Sequence, residues 1–149
     1  MNKTNWIIGA VIGAALGGAV AGGAAVAHHA FAAEFDGKAP VLLRGKVTRV
    51  EWINPHAWVH INNTNPQYAQ GAWMVEGGTP NTLLRAGIDR NSLKPGTEIV
   101  VRGYQSKDKV CKPACKANGR DVTFPDGRKI FMGSSGTGAP KDGADASER

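Results

Sequence analysis

Acidic residues are scarce in this chain, with 12 Asp and Glu against 18 Lys and Arg among 149 residues and a formal net charge of +6. Cysteine is scarcer, at two. Two thiols are too few for a disulfide-built scaffold or an all-cysteine zinc site. Aromatic residues make up only 7% of the chain. There is no G-x-S-x-G, no H-E-x-x-H, no phosphate loop and no coherent Ser/His/Asp set. The Gly133–Gly138 run lacks the Lys and the following helix that a phosphate loop needs. The absences argue against an enzyme, and a non-enzymatic binding or accessory protein is the expectation. The length fits one ordinary domain.

What is there begins with an uncharged stretch. Lys3 and the terminal amine precede Trp6–Ala27, which carries no charge and closes on Ala25-Val26-Ala27. Positive start, apolar centre and small-residue exit describe a secretory signal peptide over residues 1–27. The same run is long enough to span a bilayer and spaces Gly9, Gly13 and Gly17 by four, so a retained membrane anchor is the rival reading. Both place the rest of the chain outside the cytoplasm, in the periplasm. Cleavage removes Lys3, no acidic residue and six glycines, so the charge falls by one and His28 becomes the first residue.

Residues 28–40 read as an N-terminal arm, 41–132 as the folded domain and 133–149 as a flexible tail without periodicity or large apolar residues. Within the domain the pattern is β-like. Val41–Trp52 ends in alternation, with Gly45 marking a bulge or bend. His56–Ile61, Ala72–Glu76 and Thr97–Tyr104 read as further strands, and Asp121–Phe124 with Lys129–Phe131 as a last hairpin. Thr79-Pro80 opens a short helix that Gly87 closes. Val110–Asn118, with both cysteines, reads as a loop. Short strands with one helix between the third and fourth predict an all-β, OB-like five-stranded β-barrel; a small open sandwich is the alternative.

The stretch His28-His29-Ala30-Phe31-Ala32-Ala33-Glu34-Phe35-Asp36 resembles the start of the DUF6152 family of small exported bacterial proteins. The resemblance continues through Gly45-Lys46-Val47, Glu51-Trp52, Asn54-Pro55-His56-Ala57-Trp58, Leu93-Lys94-Pro95-Gly96 and Phe124-Pro125-Asp126-Gly127-Arg128-Lys129, into Gly133–Gly138. It departs at Ala30, where the family commonly has Ser. The resemblance implies export; the family has no assigned activity, so no mechanism comes with it.

Chemistry concentrates in four histidines: His28, His29, His56 and His60. Imidazole suits late first-row metals, and Cu(II) tops their affinity order. With cleavage after Ala27, His28 offers its α-amine and ring Nδ1 together. One imidazole from the body then completes a three-nitrogen copper site resembling a histidine brace. His56, in the Asn54-Pro55-His56 turn, is the expected partner, with His29 and Glu34 as further ligands or Glu34 as an orienting carboxylate. In a regular strand His56 and His60 share a face but lie roughly 13 Å apart at Cα, too far to bind one ion. The competing expectation is metal-free. The histidines are then solvated or bonded within their turns, and Trp58, Trp52 and His60 form a small-ligand or protein-binding surface. Trp52, Trp58 and Trp73 also fit core or cap positions.

Cys111 and Cys115 are three residues apart rather than the two of thioredoxin-like centres, and in an exported chain they are expected to close a local disulfide. The clasp would restrain a loop bearing Lys107, Lys109, Lys112 and Lys116. OB barrels often bind single-stranded nucleic acid, yet here lysines and aromatics fall in different elements and export removes that partner. No nucleic acid is expected; an envelope protein or a small ligand is, and a membrane only if the first segment is retained.

Overall fold

The computed structural model describes residues 31–133. Six strands and one short helix make up the body: β1 (Phe35–Glu51), β2 (Trp58–Asn63), β3 (Gly71–Glu76), α1 (Pro80–Arg85), β4 (Glu98–Ser106), β5 (Cys115–Thr123) and β6 (Lys129–Phe131). They form one sheet in the order β3-β2-β1-β4-β5-β6, and β3 also pairs with β5. The β3–β5 pairing is parallel and runs from Trp73↔Cys115 to Glu76↔Asn118; the other pairings are antiparallel. The strand count is thus six rather than five, since both arms of the expected terminal hairpin belong to the sheet, the first as the end of β5 and the second as β6.

Alternation places the core. Leu43 and Val47 of β1, Val59 and Ile61 of β2, and Trp73 and Val75 of β3 are buried on the same face. Val101, Ala117 and Val122 join them from β4 and β5, and Leu83 of α1 covers one end. α1 begins as its sequence dictates. The Thr79 hydroxyl accepts from the Thr82 N–H at 3.1 Å, and Pro80 occupies the first turn, where no amide donor is required. Trp73 is fully buried, with its indole N–H donating to the Ala69 carbonyl at 2.7 Å.

β1 and β5 are both longer than the alternation suggests. β1 starts at Phe35, pairs there with Ser106 of β4, and shifts register before Pro40. Residues 31–34, just upstream, are helical. Phe31, Phe35 and Tyr104 form a second buried cluster, with the Phe31 and Tyr104 rings edge-to-face at 5.7 Å. That cluster fastens the start of the described chain onto β4.

Cys111 and Cys115 are disulfide-bonded, as expected. The bond ties the β4–β5 loop to the first residue of β5. In the chain-entropy account so short a loop contributes about 2 kcal/mol. Cys111→Ser/Cys115→Ser is therefore expected to lose about that much, read as a lower urea midpoint with an unchanged slope.

Candidate functional site: a histidine and glutamate face on β2 and β3

The residues that the core leaves outside β2 and β3 carry the chemistry. On β2 they are Trp58, His60 and Asn62; on β3, Met74 and Glu76. Register sets Trp58 between two carboxylates, opposite Glu51 of β1 on one side and Glu76 of β3 on the other.

Each carboxylate meets a histidine. His56 Nδ1 lies 2.9 Å from Glu76 Oε1, and His60 Nε2 lies 2.9 Å from Glu51 Oε1. Arg49 reaches the same Glu51 oxygen at 2.6 Å. Both pairs flank Trp58, and the two imidazoles do not share a ligand position. His56 is held by the turn before β2 rather than by the strand itself. The Ala57 N–H donates to the Gly78 carbonyl at 3.0 Å, and the Gly77 N–H donates back to the Ala57 carbonyl at 2.8 Å. His56 remains 30% exposed, whereas its partner Glu76 is 7% exposed. Nε2 of His56 has no partner among the described residues.

Electrostatics distinguish the two pairs. Burial, reinforced by the nearby Glu34 charge, pushes the Glu76 carboxyl up to about 7 against the opposing pull of Asn118 and Lys116. Asn118 is fully buried and donates its side-chain amide to Glu76 Oε1 at 3.3 Å. Among the described residues its Oδ1 has no partner. His60 is pushed the other way, below the ordinary imidazole value, first by burial and then by Arg49, with Glu51 opposing.

Glu34 lies beside this face, with Lys116 Nζ at 3.6 Å from its carboxylate. Trp52 packs partly buried against the core, and the Arg90 guanidinium stands 5.4 Å from its ring centroid. Trp58 is the tryptophan on the histidine face. His28 and His29, the 1–27 segment and the tail from residue 134 lie outside the described residues. Among the described residues no group of three His, Cys, Asp or Glu converges on a metal position, and no helix is long and apolar enough to cross a membrane. A cavity of about 400 Å³ lies elsewhere, lined by Arg44, Lys46, Asn62, Thr64, Glu98 and Phe124, and no histidine borders it.

Glu51, Glu76 and Asn118 were not singled out by the sequence. Their roles depend on the β1–β2, β2–β3 and β3–β5 registers. The β2–β3 loop carries no two-residue turn signal that would fix its register beforehand.

The model of a family of unknown function, DUF6152, matches residues 18–113. The chain belongs to this family. No curated protein matches it. A solved structure, a crystal structure of TiaS in complex with an isoleucine transfer RNA and ATP, is similar at 22% identity over 57% of this chain and 18% of that chain, with a TM-score of 0.41. The DUF6152 match takes in the histidine face and part of the first segment, and ends within the disulfide loop.

Proposed function

We propose that this DUF6152 protein is an exported periplasmic binding protein, an OB-like closed β-barrel that holds copper beside its histidine face. The barrel reading is supported by β3 pairing with both β2 and β5 and by the single helix between β3 and β4. The metal reading rests on one observation. His56 sets Nδ1 against a buried carboxylate and leaves Nε2 open, the arrangement in which metal-binding imidazoles are usually held. His56 alone is one ligand. The α-amine and Nδ1 of His28 would supply the other two nitrogens, with His29 or Glu34 adjacent. Phe31 and Phe35 support this by fastening the arm to β4 only a few residues after His28.

The test is a Cu(II) titration of the processed protein against a form carrying one extra residue before His28. The extra residue separates the α-amine from the His28 ring, so affinity is expected to fall and the EPR spectrum to change. Equal affinities and equal spectra would remove the copper site. Intact mass of the native protein fixes the residue at which the chain begins.

A metal-free reading has its own observation: Trp58 stands between the two imidazole–carboxylate pairs, an aromatic platform with polar groups on both sides. A small ligand or envelope protein whose binding survives both chelation and His56→Ala would favour it.

A further inference from the structure

The β4–β5 loop takes no part in the histidine face, yet it is the most uniformly basic surface segment of the fold. Seven consecutive residues, from Lys107 to Pro113, are exposed. They include Lys107, Lys109 and Lys112, and Lys116 follows on β5 with a side chain 40% exposed. The one acid among the seven, Asp108, is exposed too but is bonded within its own loop. Its Oδ1 accepts from the Ser106 hydroxyl at 2.8 Å and from the Val110 N–H at 3.1 Å. Among the described residues neither Lys109 nor Lys112 meets an acid. Between them stands Val110, a large apolar side chain left 52% exposed. The disulfide joins Cys111, next to Val110, to Cys115 at the start of β5, which limits the freedom of the second half of the segment.

Position adds a second argument. The loop lies against the start of the described chain. Lys107 Nζ donates to the Ala32 carbonyl, the Lys107 backbone N–H donates to the Glu34 carbonyl at 2.9 Å, and Lys116 pairs with Glu34. Upstream of Phe31 only three residues separate this point from the uncharged Trp6–Ala27 run. In sequence the basic loop is therefore fastened close to the most apolar segment of the chain.

We propose that the exposed segment Lys107–Pro113 is a membrane-surface contact for anionic phospholipid headgroups, with Lys109 and Lys112 supplying charge and Val110 entering the interface. The chemistry matches an anionic bilayer through cations without acid partners and an apolar tip and, in a chain that keeps Trp6–Ala27, through closeness to that run in sequence. A juxtamembrane Lys gains about a fivefold factor near an anionic surface, and the attraction decays within a Debye length. The inference does not require metal at His56.

The experiment is co-sedimentation of the protein, as recovered from the cell envelope, with two kinds of vesicle: phosphatidylcholine alone, and phosphatidylcholine mixed with phosphatidylglycerol. The readout is the excess of binding to the mixed vesicles, since a retained Trp6–Ala27 run would partition into both. The excess is expected to disappear in about 0.5 M salt and to fall roughly 30-fold in Lys109→Gln/Lys112→Gln. Lys46→Gln/Lys129→Gln, on other strands, should leave it unchanged. Val110→Trp should show a blue-shifted emission on mixed vesicles and none on phosphatidylcholine. An excess equal in the loop variant and the native protein overturns the proposal. So does the absence of any excess, which would point to an acidic protein partner instead.

Discussion

Gly45→Ala is expected to cost at least about 3 kcal/mol and to leave little folded protein at ordinary temperatures. A methyl group built at Gly45 would lie 1.9 Å from the Asn62 carbonyl oxygen and 2.8 Å from its carbon. Those atoms are backbone of the paired strand, so no rotamer change relieves the overlap. Gly45 sits where β1 is paired on both sides, opposite Asn63 of β2 and Ile99 of β4. Nearby bonds also resist a local retreat, because the Thr64 N–H donates to the Arg44 carbonyl at 2.7 Å and the Arg44 N–H donates to Asn63 Oδ1 at 3.1 Å. Urea denaturation checks the expectation, with exposed Lys94→Ala as the control. A Gly45→Ala protein within about 0.5 kcal/mol of the native one would show that β1 and β2 separate cheaply at this point. Gly103 is placed alike on β4, where a methyl group would lie 2.1 Å from the Asn118 carbonyl oxygen.

The second large effect depends on pH. Glu76 ionises near 7 in the folded chain and near 4.5 as an ordinary glutamate. Between those values the folded state holds a proton that the unfolded state has released. Its contribution is therefore full below about 4.5 and lost as pH rises toward 7. At 1.36 kcal/mol per pKa unit the loss approaches about 3 kcal/mol. Glu76→Gln keeps the shape and cannot ionise, so its stability should lack this decline. The two proteins should be close near pH 4.5, and the glutamine form should be ahead by up to about 3 kcal/mol above pH 7. His60, with its lowered value, contributes a trend of opposite sign, and because it is common to both proteins it cancels in the difference. Chemical denaturation at several pH values measures that difference. A constant offset from pH 4.5 to 8 would mean that Glu76 titrates alike in both states.

The strands that alternate large apolar with polar residues were legible in the sequence. β2, β3 and β4 fall within two residues of their expected ends, and α1 begins at Pro80 as its cap predicts. β5 was read as starting at Asp121 and begins at Cys115 instead. Its buried positions there are Cys115, Ala117, Asn118 and Gly119, small or polar residues that do not register as a hydrophobic face. A methyl group on Gly119 would lie 2.7 Å from Met132 Sδ and 2.8 Å from Val75 Cγ1, so the missing side chain is what lets the core close there. The start of β1 was hidden likewise, since Gly37, Lys38 and Pro40 read as arm rather than strand. At the site, His56 and Trp58 were recognisable by type. Their carboxylates were not, because Glu51 and Glu76 reach them through registers that no local pattern encodes.

The parallel pairing of β3 with β5 also bears on how the chain reaches its structure. Glu76 and Asn118 are 42 residues apart in sequence and adjacent in space. Contacts of such span are entropically expensive to form first, and folds dominated by them belong to the slow, millisecond-to-second class. β2 and β3 can meet early as a hairpin, but Glu76 has neither Asn118 beside it nor its burial until β5 arrives. The raised ionisation of Glu76 thus comes into being only once β5 has paired with β3, so it reports on that long-range pairing in a way that local helix or hairpin formation cannot.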